Sequence, residues 1–266
     1  MLQPERVLRF EAADRDQIER LVSSPLPLGL EEASSELDFF RDVYWDTPAG
    51  DLKDKGATLR WRVRKQGPPL LLLDVRERQL ADGAIVRRRS ETEIDAADPA
   101  SAFASDAEPA RLLRALIDPD RLEKRFELET MRRVRTAILP NAQAERLEVA
   151  CDVITVRHGE FSAELYEAEL RLPSGEVPVD RLLRAFRGAF GLKQTFIDTA
   201  NRARTLLEDL SADALSHALR ASREVALIAY DRGAIALRDV GGSLIVPHGP
   251  GAGADACRRA MREAFG

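Results

Sequence analysis

The chain has 266 residues, 44% of them apolar and 32% charged, with a formal net charge of −5. That length allows one large domain, or one domain with a smaller attachment. The negative balance argues against a general nucleic-acid coat and against a binder of acidic membranes.

Of the 40 basic residues 35 are Arg, whose planar fork suits phosphate and carboxylate and keeps its proton. Cys151 and Cys257 form no disulfide framework, and three scattered His residues make no His-rich metal site. No apolar run reaches membrane-spanning length and the N-terminus lacks a hydrophobic signal core, so a soluble cytoplasmic protein is expected.

Residues 5–12, ERVLRFEA, alternate as a strand, with Leu8 and Phe10 on one face and Glu5, Val7 and Arg9 on the other. Asp14 then caps a helix with Ile18, Leu21 and Val22 at helical spacing. Residues 24–36 are rich in Pro, Ser and Glu and read as a loop. Four strands follow, FRDVYWD (40–46), ATLRWRVRK (57–65), LLLLDVRER (70–78) and IVRRRSETEI (85–94). The turns TPAGD, QGPP and LADGA between them mark an antiparallel meander. EPARLLRALI (108–117) is an amphipathic helix, after which strands are expected at 125–139, 145–159 and 160–172. PVDRLLRAFRGAFG (178–191) is a helix capped by Asp180 and closed by Gly191, and DTANRARTLLEDL (198–210) is another. Beyond it, EVALIAYDRGAIALRDVGGSLIVPHG reads as two or three short strands. A Gly-rich connection and an amphipathic helix at 254–265 follow.

In LRWRVR, Arg60, Arg62 and Arg64 share one face and Trp61 takes the other, where it should pack under an outer helix. The later strands repeat the theme with Asp74, Arg76 and Arg78, and with Arg87, Arg89, Glu91 and Glu93. Further along come Arg133 with Arg135, Glu148 with Asp152, and Glu167 with Glu169 and Arg171. Two readings stand open, a solvated sheet face and an enclosed one. The strands are numerous enough to close a barrel. Three adjacent Arg on one strand are unfavourable unless carboxylates or a polyanion offset them.

VYWDTPAGDLKDKGATLRWRVR (43–64), RRRSETEI (87–94) and EFSAELYEAELRLPSGE (160–176) together resemble the CYTH domain of the triphosphate tunnel metalloenzymes. The resemblance implies an α+β fold, a closed antiparallel eight-stranded β-tunnel with flanking helices over residues 1–208. Residues 209–266 form a small α+β extension outside it. It further implies a divalent-metal-dependent hydrolase of a triphosphate compound, inorganic or organic. On that reading Arg9, Arg60, Arg62, Arg76, Arg89 and one of Arg133 or Arg135 grip the phosphates. Glu5, Glu167 and Glu169 hold Mg²⁺ or Mn²⁺ and orient the attacking water, with Glu91 and Glu93 as secondary candidates. The partner is a small phosphorylated anion, with neither nucleic acid nor membrane expected.

Several positions depart from the family pattern. Val7 stands where its first strand carries a central carboxylate, Asp74 and Arg76 where Thr-x-Lys is usual, and Asp198 with Thr199 where a Ser-Lys pair is expected. These leave a second function open, a catalytically diverged polyphosphate- or nucleotide-binding module. A third is a structural barrel whose charges pair internally.

Overall fold

In the computed structural model residues 4–95, 98–139, 142–158, 161–173 and 178–209 are described, with three short strands beyond them at 226–229, 235–238 and 244–247. Eight strands make the body of the fold. They are β1 (Pro4–Glu11), β2 (Glu31–Asp46), β3 (Ala57–Arg64), β4 (Leu70–Gln79), β5 (Ile85–Glu93), β6 (Glu123–Leu139), β7 (Ala142–His158) and β8 (Phe161–Leu172). The hydrogen-bonded order is β8-β7-β6-β2-β3-β4-β5-β1, and β1 pairs back onto β8 through Arg6↔Leu172 to Glu11↔Glu167. The sheet is therefore a closed antiparallel barrel, which leaves no open edge along its body.

The enclosed reading of the charged face holds. Each strand sends one parity of side chains outward to an apolar layer and the other into the lumen. Outward, Leu8, Phe10, Val149, Cys151 and Leu170 pack beneath α1 (Arg15–Ser23) and α5 (Val179–Phe190). Leu59, Trp61, Leu71 and Leu73 pack beneath α3 (Pro99–Ala104) and α4 (Glu108–Leu116). Fully burying Phe10, Leu21 and Phe186 contributes about 2 kcal/mol each, which fastens the helices to the wall.

Local chemistry explains the joints. The Asp14 carboxylate accepts from the Gln17 backbone N–H at 2.9 Å and starts α1. Asp46 accepts from the N–H groups of Thr47, Leu52 and Lys53, so it holds the turn before the short helix α2 (Asp51–Asp54) rather than facing a ligand. Gly191, at φ +69°, closes α5 in the left-handed conformation that glycine adopts without strain. Asp180 lies in the first turn of α5 with Pro178 at the cap position, where its charge still favours the helix N-terminus.

Two expectations change. The stretch expected as a loop through residue 36 is already strand from Glu31, because β2 and β6 pair from Glu31↔Ile138 to Asp46↔Glu123. Long-range pairing overrides the weak strand preference of its Ser and Glu residues. The C-terminal strands β10 (Ala226–Ala229), β11 (Ile235–Arg238) and β12 (Leu244–Pro247) extend the barrel sheet, with β12 pairing Ile245↔Ala163 on β8. The Gly-rich connection and final helix lie outside the described residues. A two-residue strand β9 (Lys193–Gln194) adds to the end of β1.

The helix α6 (Thr199–Asp209) takes a different seat from the other helices. Its Ala200, Ala203 and Leu206 pack against Tyr44, Phe126, Leu128, Ile154, Val156, Ala163 and Leu165. Those strand positions share the parity of the lumen residues, so α6 covers one end of the tunnel with an apolar stopper. Beyond it the lumen turns polar.

Candidate functional site

The lumen is built from acid–arginine pairs set directly opposite one another by strand register. Asp42 faces Arg62, and accepts from its Nε at 2.7 Å and its Nη2 at 2.8 Å. Asp74 faces Arg89 and accepts from Nε at 2.8 Å. Asp152 faces Arg132, with Nε at 2.8 Å and Nη2 at 2.6 Å. Glu5 faces Arg87 at 3.1 Å, Glu169 faces Arg9 at 3.1 Å, and Glu148 faces Arg171 at 2.7 Å. Two arginines also bridge between pairs. Arg60 reaches Asp42 at 3.4 Å and also donates to Asp74, while Arg87 forks onto Glu169 at 2.9 and 2.6 Å. The three Arg of β3 are tolerated because acids from the adjoining strands stand between and beside them.

Burial and pairing pull these groups in opposite directions. Burial alone would raise the Asp42 carboxyl, but Arg62 and Arg60 hold it below the usual range. Burial is again outweighed at Asp74, where Arg60 and Arg89 hold the carboxyl well down, and at Glu169, where Arg87 and Arg9 do the same. Glu167 goes the other way. Its burial raises the carboxyl despite Arg202 and Arg9 nearby.

The lumen has two connected parts. A cavity of about 80 Å³ lies at the α6 end, bordered by Tyr44, Arg60, Asp74, Arg76 and Thr199. A wider one of about 790 Å³ opens at the far end past Phe40, Arg62, Arg64 and Arg171. Arg89, Arg132 and Glu169 border both. The wider part falls in the size range of small-molecule sites. Three of its arginines are held in one manner. Arg62, Arg89 and Arg132 each give Nε and Nη2 to an aspartate, and the Nη1 of each has no hydrogen-bond partner among the described residues. Phe40 supports Arg62 from beneath, its ring centre 3.7 Å from the guanidinium carbon.

Of the residues singled out from sequence, Glu5, Arg9, Arg60, Arg62, Arg76, Arg89, Glu167 and Glu169 all reach the lumen or its mouths. Arg76 sits at the α6 end and donates to the Phe196 carbonyl at 3.3 Å. Arg133 and Arg135 lie on the outer face. Arg133 pairs with Cys151, whose side chain belongs to the outer core, and Arg135 donates to the carbonyls of Leu21 and Ser24 at the end of α1. Arg132, of the opposite parity, lines the tunnel in their place. Glu91 is exposed at the wide mouth, and Glu93 accepts from Arg64 at 2.7 Å. Sequence reasoning passed over Asp42 and did not assign Arg87 or Arg132 a role. Asp42 shares a face of its strand with Tyr44, but its register against Arg62 follows from the folded β2–β3 pairing across a connection that contains α2.

The carboxylates expected to hold a metal do not fit one as they are arranged. Both oxygens of Glu169 accept from Arg87, and one also from Arg9. Glu167 accepts from Thr199 at 2.6 Å and Arg202 at 2.6 Å, and Glu5 from Arg87. Among the described residues no group of three or more His, Cys, Asp or Glu is placed to hold a metal ion. A guanidinium about 4 Å from a divalent ion would repel it by roughly 8 kcal/mol at an effective dielectric constant near 20.

Solved structures share this architecture. A candidate adenylate cyclase from Bacillus halodurans superposes with a TM-score of 0.52 at 18% identity, covering 73% of this chain and 94% of that one. A candidate adenylyl cyclase from Hippeastrum, described as having a dominant triphosphatase activity, gives 0.54 at 18% identity, with 76% and 95% covered. At such identity the likeness speaks for the fold. No protein of curated function matches the chain in sequence. The CYTH domain family model matches residues 3–176, the span that contains all eight barrel strands, and the chain belongs to the CYTH domain family.

Proposed function

We propose that the tunnel binds the phosphate chain of a triphosphate compound, either inorganic triphosphate or the triphosphate of a nucleotide or other organic molecule. The observation that carries this reading is the set of three arginines, Arg62, Arg89 and Arg132, each braced by an aspartate on one edge with Nη1 left for a ligand. Bracing removes side-chain freedom before the ligand arrives, so less is lost on binding. Phosphate oxygens accept charge-assisted hydrogen bonds from such donors, each contributing about 1.5–3 kcal/mol.

Calorimetric titration with tripolyphosphate and ATP tests it. Wild type should bind at least one of them, and Arg62→Ala and Arg132→Ala should each weaken binding about tenfold or more. Absent binding, or binding that neither substitution changes, overturns the proposal.

A second reading adds hydrolysis of the bound compound, favoured by the triphosphatase activity described for the Hippeastrum neighbour. Phosphate release in the same samples, with and without Mg²⁺ or Mn²⁺, separates the two. Release that Arg62→Ala and Glu169→Gln both abolish makes the protein a tunnel triphosphatase. Binding without release makes it a binding module.

A further inference from the structure

We infer that Arg87 and Arg202 are the resident cations of this tunnel, standing where a divalent metal would neutralise the Glu5, Glu167 and Glu169 carboxylates, so that the tunnel takes a phosphate chain free of metal. The inference deepens the anion-binding reading above and rests on it for the identity of the ligand.

Arg87 lies among acids as a bound ion would. Its Nε donates to Glu5 at 3.1 Å, and its Nη1 and Nη2 donate to the two oxygens of Glu169 at 2.9 and 2.6 Å. Its side chain is only 8% exposed. Strand pairing keeps it there, since Arg87 sits opposite Glu5 in the β1–β5 ladder, and β1 is held on its other side by β8. The backbone at Arg87 is thereby fixed within reach of both Glu5 and Glu169.

Arg202 does the same for the other acid. From α6 it donates to one Glu167 oxygen at 2.6 Å, and Thr199 donates to the other at 2.6 Å. It also lies 3.5 Å from Glu11. Its neighbour Ala203 is fully buried in the apolar stopper, which fixes the helix that presents it.

Together the two guanidinium groups bring the charge of one divalent ion. They spread it over planar donors that, together with the Thr199 hydroxyl, already satisfy the Glu167 and Glu169 oxygens. Val7, buried between Glu5 and Arg9 on the lumen face of β1, offers a metal nothing. A dication entering this set would meet Arg9 as well, and would leave guanidinium groups buried without partners. Metal and arginine therefore exclude each other here. A divalent cation in solution should weaken binding, because it draws the free phosphate chain into a complex.

The test begins with Mn²⁺ alone, titrated into the full chain and followed by the electron paramagnetic resonance of the free ion. Wild type should show no saturable uptake, whereas Arg87→Ala and Arg202→Ala, which each expose carboxylate oxygens, should gain uptake by about tenfold or more. Stoichiometric uptake by wild type that Glu169→Gln abolishes overturns the inference, as does a folded Arg87→Ala with no gain. If the Arg87 variant does not fold, the wild-type titration and Arg202→Ala still decide. Calorimetry with tripolyphosphate in EDTA and in excess Mg²⁺ completes it. Affinity equal or higher in EDTA is expected, and a loss of about tenfold in EDTA counts against it. Should tripolyphosphate not bind under either condition, the anion-binding reading fails while the Mn²⁺ result still judges the role of Arg87.

Discussion

Replacing Asp74 with Asn separates what the tunnel acids do for stability from what they do to a ligand. Asp74 is 17% exposed at its side chain and accepts from Arg60 and from Arg89 at 2.8 and 3.3 Å. Asn keeps one carbonyl oxygen as a neutral acceptor and turns the other into an N–H donor, so Arg60 and Arg89 lose the charge and one of the two oxygens they share, while Arg60 keeps its 3.4 Å contact to Asp42. Breaking a buried ion pair typically costs about 3–5 kcal/mol. The lower figure applies because the lumen admits water, and about 3 kcal/mol lowers Tm by roughly 6–12 °C for a domain of this size. Ligand affinity should move the other way. For a phosphate charge about 8 Å from the carboxylate, repulsion at an effective dielectric constant near 20 is about 2 kcal/mol. Loosening an arginine that Asp74 had braced takes back roughly 0.5–1.5 kcal/mol. Repulsion wins, and tripolyphosphate should bind severalfold more tightly to Asp74→Asn. Urea melts with and without tripolyphosphate read both quantities, with ligand recovering part of the lost stability. Unchanged stability in Asp74→Asn would show that the acid does not hold the arginines. Affinity that falls alongside stability would show that bracing outweighs repulsion.

The lattice also sets a pH dependence. Asp42, Asp74 and Glu169 ionise more readily folded than unfolded, so their contribution is complete above the unfolded carboxylate range of about 4 and drains as pH falls through the folded values. Glu167, raised by burial, gives a small gain as pH falls through its own folded value. Urea midpoints should hold or rise slightly from neutrality and then drop steeply below about pH 4, and a steady loss beginning near pH 6 would contradict the pairing. Arg135→Met should cost about 1–3 kcal/mol by leaving the carbonyls of Leu21 and Ser24 unpaired, yet leave tripolyphosphate binding unchanged. Weaker binding measured by calorimetry would place Arg135 in the site after all.

Much of the barrel was legible because a strand's two faces differ so sharply in chemistry. LRWRVR separates apolar from charged residues by parity, ERVLRF does so apart from Arg6 and Val7, and their faces are as expected, Leu8, Phe10 and Trp61 outward and Arg9, Arg60 and Arg62 inward. MRRVR carries Arg at both parities, and alternation alone pointed to Arg133 and Arg135, which lie on the outer face, rather than to Arg132. Asp152 opposite Arg132, and Cys151 opposite Arg133, settle it through register. The β2 segment from Glu31 lacked strand-forming residues and showed itself only through its partner β6. Asp74, a departure from the family pattern, holds Arg60 and Arg89 in place.

What the sequence by itself determined was the alternation, the strand count and the excess of arginine, since these follow from side-chain chemistry read along one strand at a time. Which acid meets which arginine was decided only by closure of the sheet. Glu5 and Arg87 are 82 residues apart, as are Arg87 and Glu169, and only a barrel that joins β5 to β1 and β1 to β8 brings them together. The same holds for Arg202, which meets Glu167 because apolar contacts seat α6 across the end of the tunnel. Charge pairing acts over a few ångströms, and distances of that kind are set by the folded chain rather than by spacing along it.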